Sequence, residues 1–209
     1  MNRTIVAHTP LGSQLLFKKM LGTESVSNLF EFNITLVSQN PNLQGKDIIG
    51  QSVTLEIDTE ASSPRYLNGL VTDFGYIGED EDEEGYHAYT CTTRPFMWYL
   101  TQNTDSRVFV DKSVLDIANE VLAPFGFPYQ IKCQKGYRTR GFCVQYQENS
   151  FDFLNRLFEQ EGIYYYFAHS NGSHELVITD DVGVLEAISS PNIPYHSRNT
   201  APGAPNIAY

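Results

Sequence analysis

The chain has little with which to do covalent or redox chemistry. Its three cysteines, Cys91, Cys133 and Cys143, are odd in number and never spaced C-x-x-C, which fits neither a disulfide framework nor a zinc site. They read as three reduced, mostly buried thiols. No G-x-S-x-G, H-E-x-x-H or G-x-G-x-x-G is present. Gly45-Lys46 has Asn40 where a phosphate loop needs a glycine. No stretch approaches the ~20 apolar residues that span a bilayer, so stable membrane insertion is not expected. Met1 to Pro10 lacks the apolar core of a signal peptide. The expectation is a protein folded in the cytoplasm that, if exported, leaves by another route than general secretion. The N-x-S/T triplets at Asn2, Asn33 and Asn171 carry no glycan meaning on that expectation.

Positive charge is also scarce. Fourteen Lys and Arg face 25 Asp and Glu, for a formal net charge of −11. Binding a phosphate backbone needs a basic stripe, and none is visible, so nucleic acid is not an expected partner. Six of the acidic residues form one uninterrupted run, Glu79 to Glu84. Asp80, Asp82, Glu84 and Gly85 match the first positions of a calcium loop. Position 12, however, falls on Cys91 where a bidentate Glu is required, and the flanks read as strands. A solvated, self-repelling hairpin tip is the simpler reading.

What is present in quantity is apolar: 41% hydrophobic and 13% aromatic residues, enough for a packed core in one large or two small domains. Phe30, Phe32, Ile34 and Leu36 alternate with Glu31, Asn33 and Thr35, and Val53, Leu55 and Ile57 with Thr54, Glu56 and Asp58. That period predicts strands with one buried face. Tyr66 to Tyr76 and Tyr86 to Thr93 predict two long strands joined through the acidic run. Several strands at hairpin spacing, with almost no helix, point to a barrel or sandwich.

The character changes near residue 106. Ser113 to Leu122 predicts a helix: Val114, Ile117, Ala118, Val121 and Leu122 share a face, Ser113 and Asp116 fit a capping box, and Pro124 and Gly126 stop it. Strands are expected around Tyr129–Cys133 and 141–146. The block from Val144 to Phe167 is a strand, a helix and a strand in direct succession. Asn149 and Ser150 both suit the N-cap. Phe151, Leu154, Leu157 and Phe158 recur at helical spacing, Asp152 and Arg156 stand as an i,i+4 pair, and Gly162 suits the left-handed stop. A hairpin then pairs 163–167 with 175–178 across Asn171-Gly172. The expected fold class is β-rich α+β: a barrel-like antiparallel β domain over 1–106, then a smaller α+β domain with two main helices over 107–188. Residues 189–209 hold four of the ten prolines and read as a linker or tail.

Three further groups are candidates for sites. His169 and His174 flank the hairpin turn and could share a metal, but no third ligand is near in sequence, so two surface histidines is the simpler reading. Glu159 and Glu161 are two apart on a helix and point in different directions, which suits a solvated edge rather than acid–base work. Tyr164 to Phe167 occupy both faces of a strand; one face can pack on the helix, and the other needs a second layer or a partner. No catalytic, cofactor or metal residue is assigned, and no cofactor or enzymatic activity is expected.

The order of residues carries more than their chemistry. Val144 to Phe167, with Val144-Gln145-Tyr146, Phe151-Asp152-Phe153-Leu154, Arg156-Leu157 and Gly162-Ile163-Tyr164-Tyr165-Tyr166-Phe167, resembles the signature of the VgrG family. These are the spike proteins of type VI secretion, whose N-terminal half is similar to contractile-phage baseplate hub proteins. Pro95 to Leu100 resembles the family's P-x-x-W-x-L step. Arg107-Val108-Phe109 with Ser113-Val114-Leu115-Asp116-Ile117 resembles R-x-F … S-V-x-D-I, and Leu67 to Val71 its F-x-G-x-V strand. Agreement runs over roughly Leu15 to Asp181. The resemblance implies a structural assembly protein of the spike or hub, which docks on a hexameric tube protein (Hcp) and is a homotrimer when intact. Two barrels per chain would then give a pseudo-sixfold ring. This stretch would hold the first barrel, so alone it is expected to be monomeric or weakly associated. Export would be by the injection apparatus itself. The rival readings are a carbohydrate-binding β module and a phage tail hub protein.

Overall fold

Alternation becomes a curled sheet. The computed structural model describes residues 5–58 and 63–185. Six strands form one antiparallel sheet: β1 (Ile5–His8), β2 (Leu16–Thr23), β3 (Glu31–Ser38), β4 (Ser52–Ile57), β5 (Arg65–Glu79) and β6 (His87–Arg94), in the order β1-β4-β5-β6-β3-β2. It curls into a half-barrel with β1 and β2 at its two edges. Phe30, Phe32, Ile34, Leu36, Val53, Leu55 and Ile57 are all buried, as their period requires. The 15-residue β5 and its partner β6 fold back at the acidic run. Of the two edge strands, β1 alternates half-buried and exposed residues, whereas β2 does not: Lys18 and Lys19 are adjacent at a bulge between Phe17 and Lys19.

A 3-10 turn over Phe96–Thr101 leads into the second part. There β7 (Thr104–Phe109) pairs with β9 (Cys143–Asn149) as a two-stranded ribbon. Helices α1 (Val114–Leu122) and α2 (Ser150–Glu161) pack under it. β10 (Tyr164–Ser170) and β11 (Ser173–Thr179) form a hairpin, and the short β8 (Tyr129–Ile131) runs parallel beside β11. The buried side chains of both parts make one continuous cluster, from Leu15 and Phe30 through Phe96 and Leu100 to Leu154, Tyr165 and Ile178. Residues 189–209, which read as a linker in sequence, lie outside the described residues.

Local signals set the ends of the helices. The Ser113 hydroxyl accepts from the Asp116 amide while the Asp116 carboxylate accepts from the Ser113 amide, the reciprocal cap expected for α1. Asn149, of the two candidates, is the N-cap of α2, and Gly162 takes φ +69° at its end. Two details of α2 differ from the sequence pattern. Its buried face is Ser150, Phe153, Leu154, Leu157 and Phe158; Phe151 is only half-buried. Phe153, one residue short of Leu154, is turned to the core by stacking on Phe109 with ring centroids 5.4 Å apart. Arg156 does not pair with Asp152. It reaches back to Glu148 of β9 in a forked contact (Nη2–Oε1 2.6 Å, Nε–Oε2 3.0 Å) and donates to the Val144 carbonyl at 2.8 Å. Because the strand runs straight into the helix, Glu148 is held beside Arg156, and a forked guanidinium–carboxylate contact outcompetes a loose pair on the helix surface.

Gly69 in β5 explains the glycine of the F-x-G-x-V step: a Cβ there would stand 2.9 Å from the Thr93 Cβ and 3.1 Å from the Phe30 ring. Leu154 and Leu157 are fully buried against the Phe96–Thr101 turn and α1. Leu154→Ala or Leu157→Ala should each cost roughly 2–5 kcal/mol by loss of packing and creation of a cavity. Urea midpoints equal to those of the parent would refute that packing.

Candidate functional site

The pair of histidines that the sequence places at the surface is interior. The hairpin β10–β11 packs on β5, which turns both residues flanking its Asn171-Gly172 turn inward. His174 is 4% exposed and the His169 side chain 7%. The two are therefore not surface histidines. A signal was present: His174 stands in period 2 with Leu176 and Ile178, on the buried side of a strand.

Their hydrogen bonds define the protonation of both rings. The Phe96 amide donates to His174 Nε2 (3.0 Å), so the proton is on Nδ1, which donates to Asn68 Oδ1 (2.8 Å). The Asn68 amide N–H donates to His169 Nδ1 (3.0 Å), so His169 Nε2–H donates to Glu24 Oε1 (2.9 Å). Asn68, 1% exposed, completes the network by donating from Nδ2 to Ser52 Oγ and Thr54 Oγ1, both at 2.7 Å. The Gly172 amide also donates to Thr54 Oγ1, at 3.2 Å. All four ring nitrogens are thus engaged within the protein and none offers a lone pair to a metal. Among the described residues no group of three His, Cys, Asp or Glu could hold a metal ion.

The acidic run is not uniformly self-repelling. Asp80 Oδ1 accepts from the Asp82 and Glu83 amides, and Lys18 Nζ contacts both Asp80 and Asp82 at 2.6 Å. Those bonds lower the Asp80 pKa and raise that of Lys18. Lys18, at the bulge of β2, thereby clamps the hairpin tip to the sheet edge. Cys91, which a calcium loop would need as Glu, is buried in β6, and burial pushes its thiol up to about 12. Glu159 is solvated as expected, while Glu161 is tied to Arg140 at 2.6 Å. Gly45 and Lys46 lie in a short 3-10 turn. Of the four aromatics in β10, Tyr165 and Phe167 are buried against Phe158 and Phe30, and Tyr164 and Tyr166 are half-buried. Trp98 is half-buried with the Arg94 guanidinium 5.3 Å from its ring centroid.

Two surfaces stand out among the described residues. One is the seam of the half-barrel. No ladder joins β1 to β2 among the described residues, and a cleft of about 370 Å³ between them is lined by Ile5, Ala7, Leu15, Leu16 and Phe17. The bulge and the paired lysines of β2 are the devices that keep such an edge from indiscriminate pairing. The other is the outer face of the β7–β9 ribbon, which sequence reasoning passes over because Val108 and Tyr146 belong to motifs whose neighbours are buried. Val108 sits opposite Val144 and Ser106 opposite Tyr146, while Phe109 and Gln145 face inward onto α2.

The fold and several ordered motifs can be set beside known proteins. Residues 23–207 match the family described as phage tail baseplate hub (GPD). The chain is 37% identical over 199 residues to the type VI secretion system spike protein VgrG1a of Pseudomonas aeruginosa, covering 94% of this chain and 30% of that protein. It is 34% identical over 199 residues to VgrG1b of the same organism, covering 93% and 26%. Among solved structures it is similar to an Escherichia coli component of the type VI secretion system described as structurally similar to the T4 bacteriophage tail proteins gp27 and gp5. That match has a TM-score of 0.73 at 21% identity and covers 88% of this chain and 51% of the other. The chain therefore spans less than a third of the two curated relatives.

The buried network makes acid sensitivity testable. Burial, with His169 beside it, pushes His174 down to about 3 from an ordinary value of 6.5. Between those two values the unfolded chain holds the extra proton and the native chain does not. The contribution is complete above pH 6.5 and is lost as pH falls toward 3, at up to ~1.4 kcal/mol per pH unit. His174→Gln, which can keep an acceptor and a donor but not the proton site, should flatten the stability profile between about pH 6 and 4 relative to the parent. Chemical denaturation at several pH values reads this, and equal slopes would refute it.

Proposed function

The chain belongs to the phage tail baseplate hub family, and on that basis we propose that it supplies the hub of a type VI secretion spike, docking on the hexameric tube protein (Hcp). The observation that carries the proposal is the 37% identity to a named spike protein over 94% of the chain. The half-barrel adds a physical rationale. A hexameric tube needs six similar docking units, and a trimer meets that need if each chain contributes two barrels. A curled sheet whose edge strands β1 and β2 have no outer partner among the described residues is a unit that can stand beside others in such a ring. The role is mechanical: the hub transmits force and matches symmetry, with no reaction at its centre. Assembly takes place in the cytoplasm, and the apparatus itself carries the hub out.

The chemistry of the site agrees with a structural role. Its buried histidines are saturated by partners within the protein, and its acidic tip is clamped by Lys18. Purified chain should be retained by immobilised hexameric tube protein of a type VI system. Capture by a phage tail-tube protein instead would move the hub to a phage. Binding on a glycan array with no capture by either tube would overturn the proposal in favour of a carbohydrate-binding module.

A further inference from the structure

The sequence holds two Asn-Gly steps, Asn68-Gly69 and Asn171-Gly172, and the structure places both at the junction of the half-barrel and the second part, where Asn68 and Gly172 share Thr54 as a partner. This dipeptide has a chemistry of its own. Glycine has no side chain to keep its backbone nitrogen from the carbonyl of the asparagine side chain, so the nitrogen can attack it. The two steps differ in what holds them. Asn68 is 1% exposed; its Oδ1 accepts from His174, and its Nδ2 donates to Ser52 and Thr54. Gly69 is buried too, fixed in the ladder opposite Val53 and hemmed in by Thr93 and Phe30. Neither group there can turn. Asn171 and Gly172 are exposed at the tip of the β10–β11 hairpin, where no described residue bonds the Asn171 side-chain amide. Their restraint lies at the glycine. Its N–H donates to Thr54 Oγ1 at 3.2 Å, and its carbonyl accepts from Ser52 Oγ at 3.4 Å.

We propose that Asn171 is a covalent modification site, which deamidates through a succinimide when the hairpin turn lifts from β4. The Gly172 nitrogen bonds to Cγ of Asn171 as the Cγ–Nδ2 bond breaks. The proton of the Gly172 amide passes through solvent to the departing nitrogen, which leaves as ammonia. Water, the one co-reactant, then opens the ring at either carbonyl and gives aspartate or isoaspartate, with no change of oxidation state. While Thr54 holds the Gly172 N–H, and Ser170 pairs with Ser173, the nitrogen cannot swing toward Cγ. Lifting of an exposed hairpin tip is a local opening well below global unfolding in cost, and the reaction runs through it. The isoaspartate product routes the main chain through the side-chain carbon and so lengthens a two-residue turn. That displaces His169 and His174, which face each other across the hairpin and bind Asn68. Modification thus loosens the junction from its exposed end. The proposal does not rest on the hub reading.

The test is peptide mapping by mass spectrometry of the full chain, incubated folded at mildly alkaline pH. The peptide that holds Asn171 should gain the mass of an amide converted to an acid, in part as isoaspartate, while the peptide that holds Asn68 stays unchanged. In urea both steps should convert at similar rates. Thr54→Val, once a thermal melt establishes that it folds, should speed conversion at Asn171 by about fivefold, the effect of one hydrogen bond lost from the docked turn. Ser52→Ala, which frees the Gly172 carbonyl instead, gives the same reading if Thr54→Val does not fold. Aged chain should melt below fresh chain, and Asn171→Ser aged beside it should keep its melting temperature. An unchanged Asn171 in the folded chain would overturn the proposal. So would conversion of Asn68 ahead of it, or a folded variant at Thr54 or Ser52 that reacts no faster than the parent.

Discussion

The structure depends on one buried asparagine. Asn68, in the middle of β5, holds the half-barrel and the second part together by addressing both histidines of the β10–β11 hairpin at once. The residue is 1% exposed, so each of its polar atoms would be costly if left unpaired. The network leaves little freedom. His174 must accept from Phe96 and donate to Asn68, and His169 must accept from Asn68 and donate to Glu24. The hairpin can therefore dock in one register, and the Phe96–Thr101 turn that starts the second part is fixed by the same contact. Around it the rings of Phe30, Phe96 and Phe167 lie 5.5–6.0 Å from that of His174, and they exclude the water that would otherwise compete.

That junction, with the core shared by both parts, makes them one body. The surface is differentiated around it. The acidic hairpin tip is drawn in by Lys18, the seam between β1 and β2 is left unladdered, and the ribbon β7–β9 shows an uncharged outer face. Free edges and an apolar face are hazards for a lone soluble chain and assets for a component of an assembly. The bulge at Lys18 and the forked Arg156 side chain, which also binds a β9 carbonyl, show these hazards being limited without being removed.

Much of the architecture is legible in one dimension because its causes are local. Period-2 alternation in β3 and β4 names their buried faces, and the Ser113–Asp116 cap, Gly162 and Asn171-Gly172 name the ends of α1 and α2 and the hairpin turn. Errors arise where a partner distant in sequence decides the outcome. Phe153 displaces Phe151 because Phe109, far back in the chain, stacks on it. Arg156 leaves Asp152 because the preceding strand delivers Glu148. The two histidines look solvated because a hairpin turn usually is, and nothing local reveals a sheet packed over it.

Residue order alone is enough for the element types, the strand faces, the helix caps, the lack of recognisable catalytic and metal-binding patterns, and, through the succession of motifs, the family. Those follow from propensity, period and residue identity, which act over a few positions. Long-range packing is what selected the polar groups to bury and the partners they would have. It also left the face from Ser106 to Tyr146 outward while its neighbours Phe109 and Gln145 went in. Alternation states that a ribbon has two faces. Which of them the rest of the chain covers depends on where α2 comes to rest, and that is settled by contacts across the whole molecule.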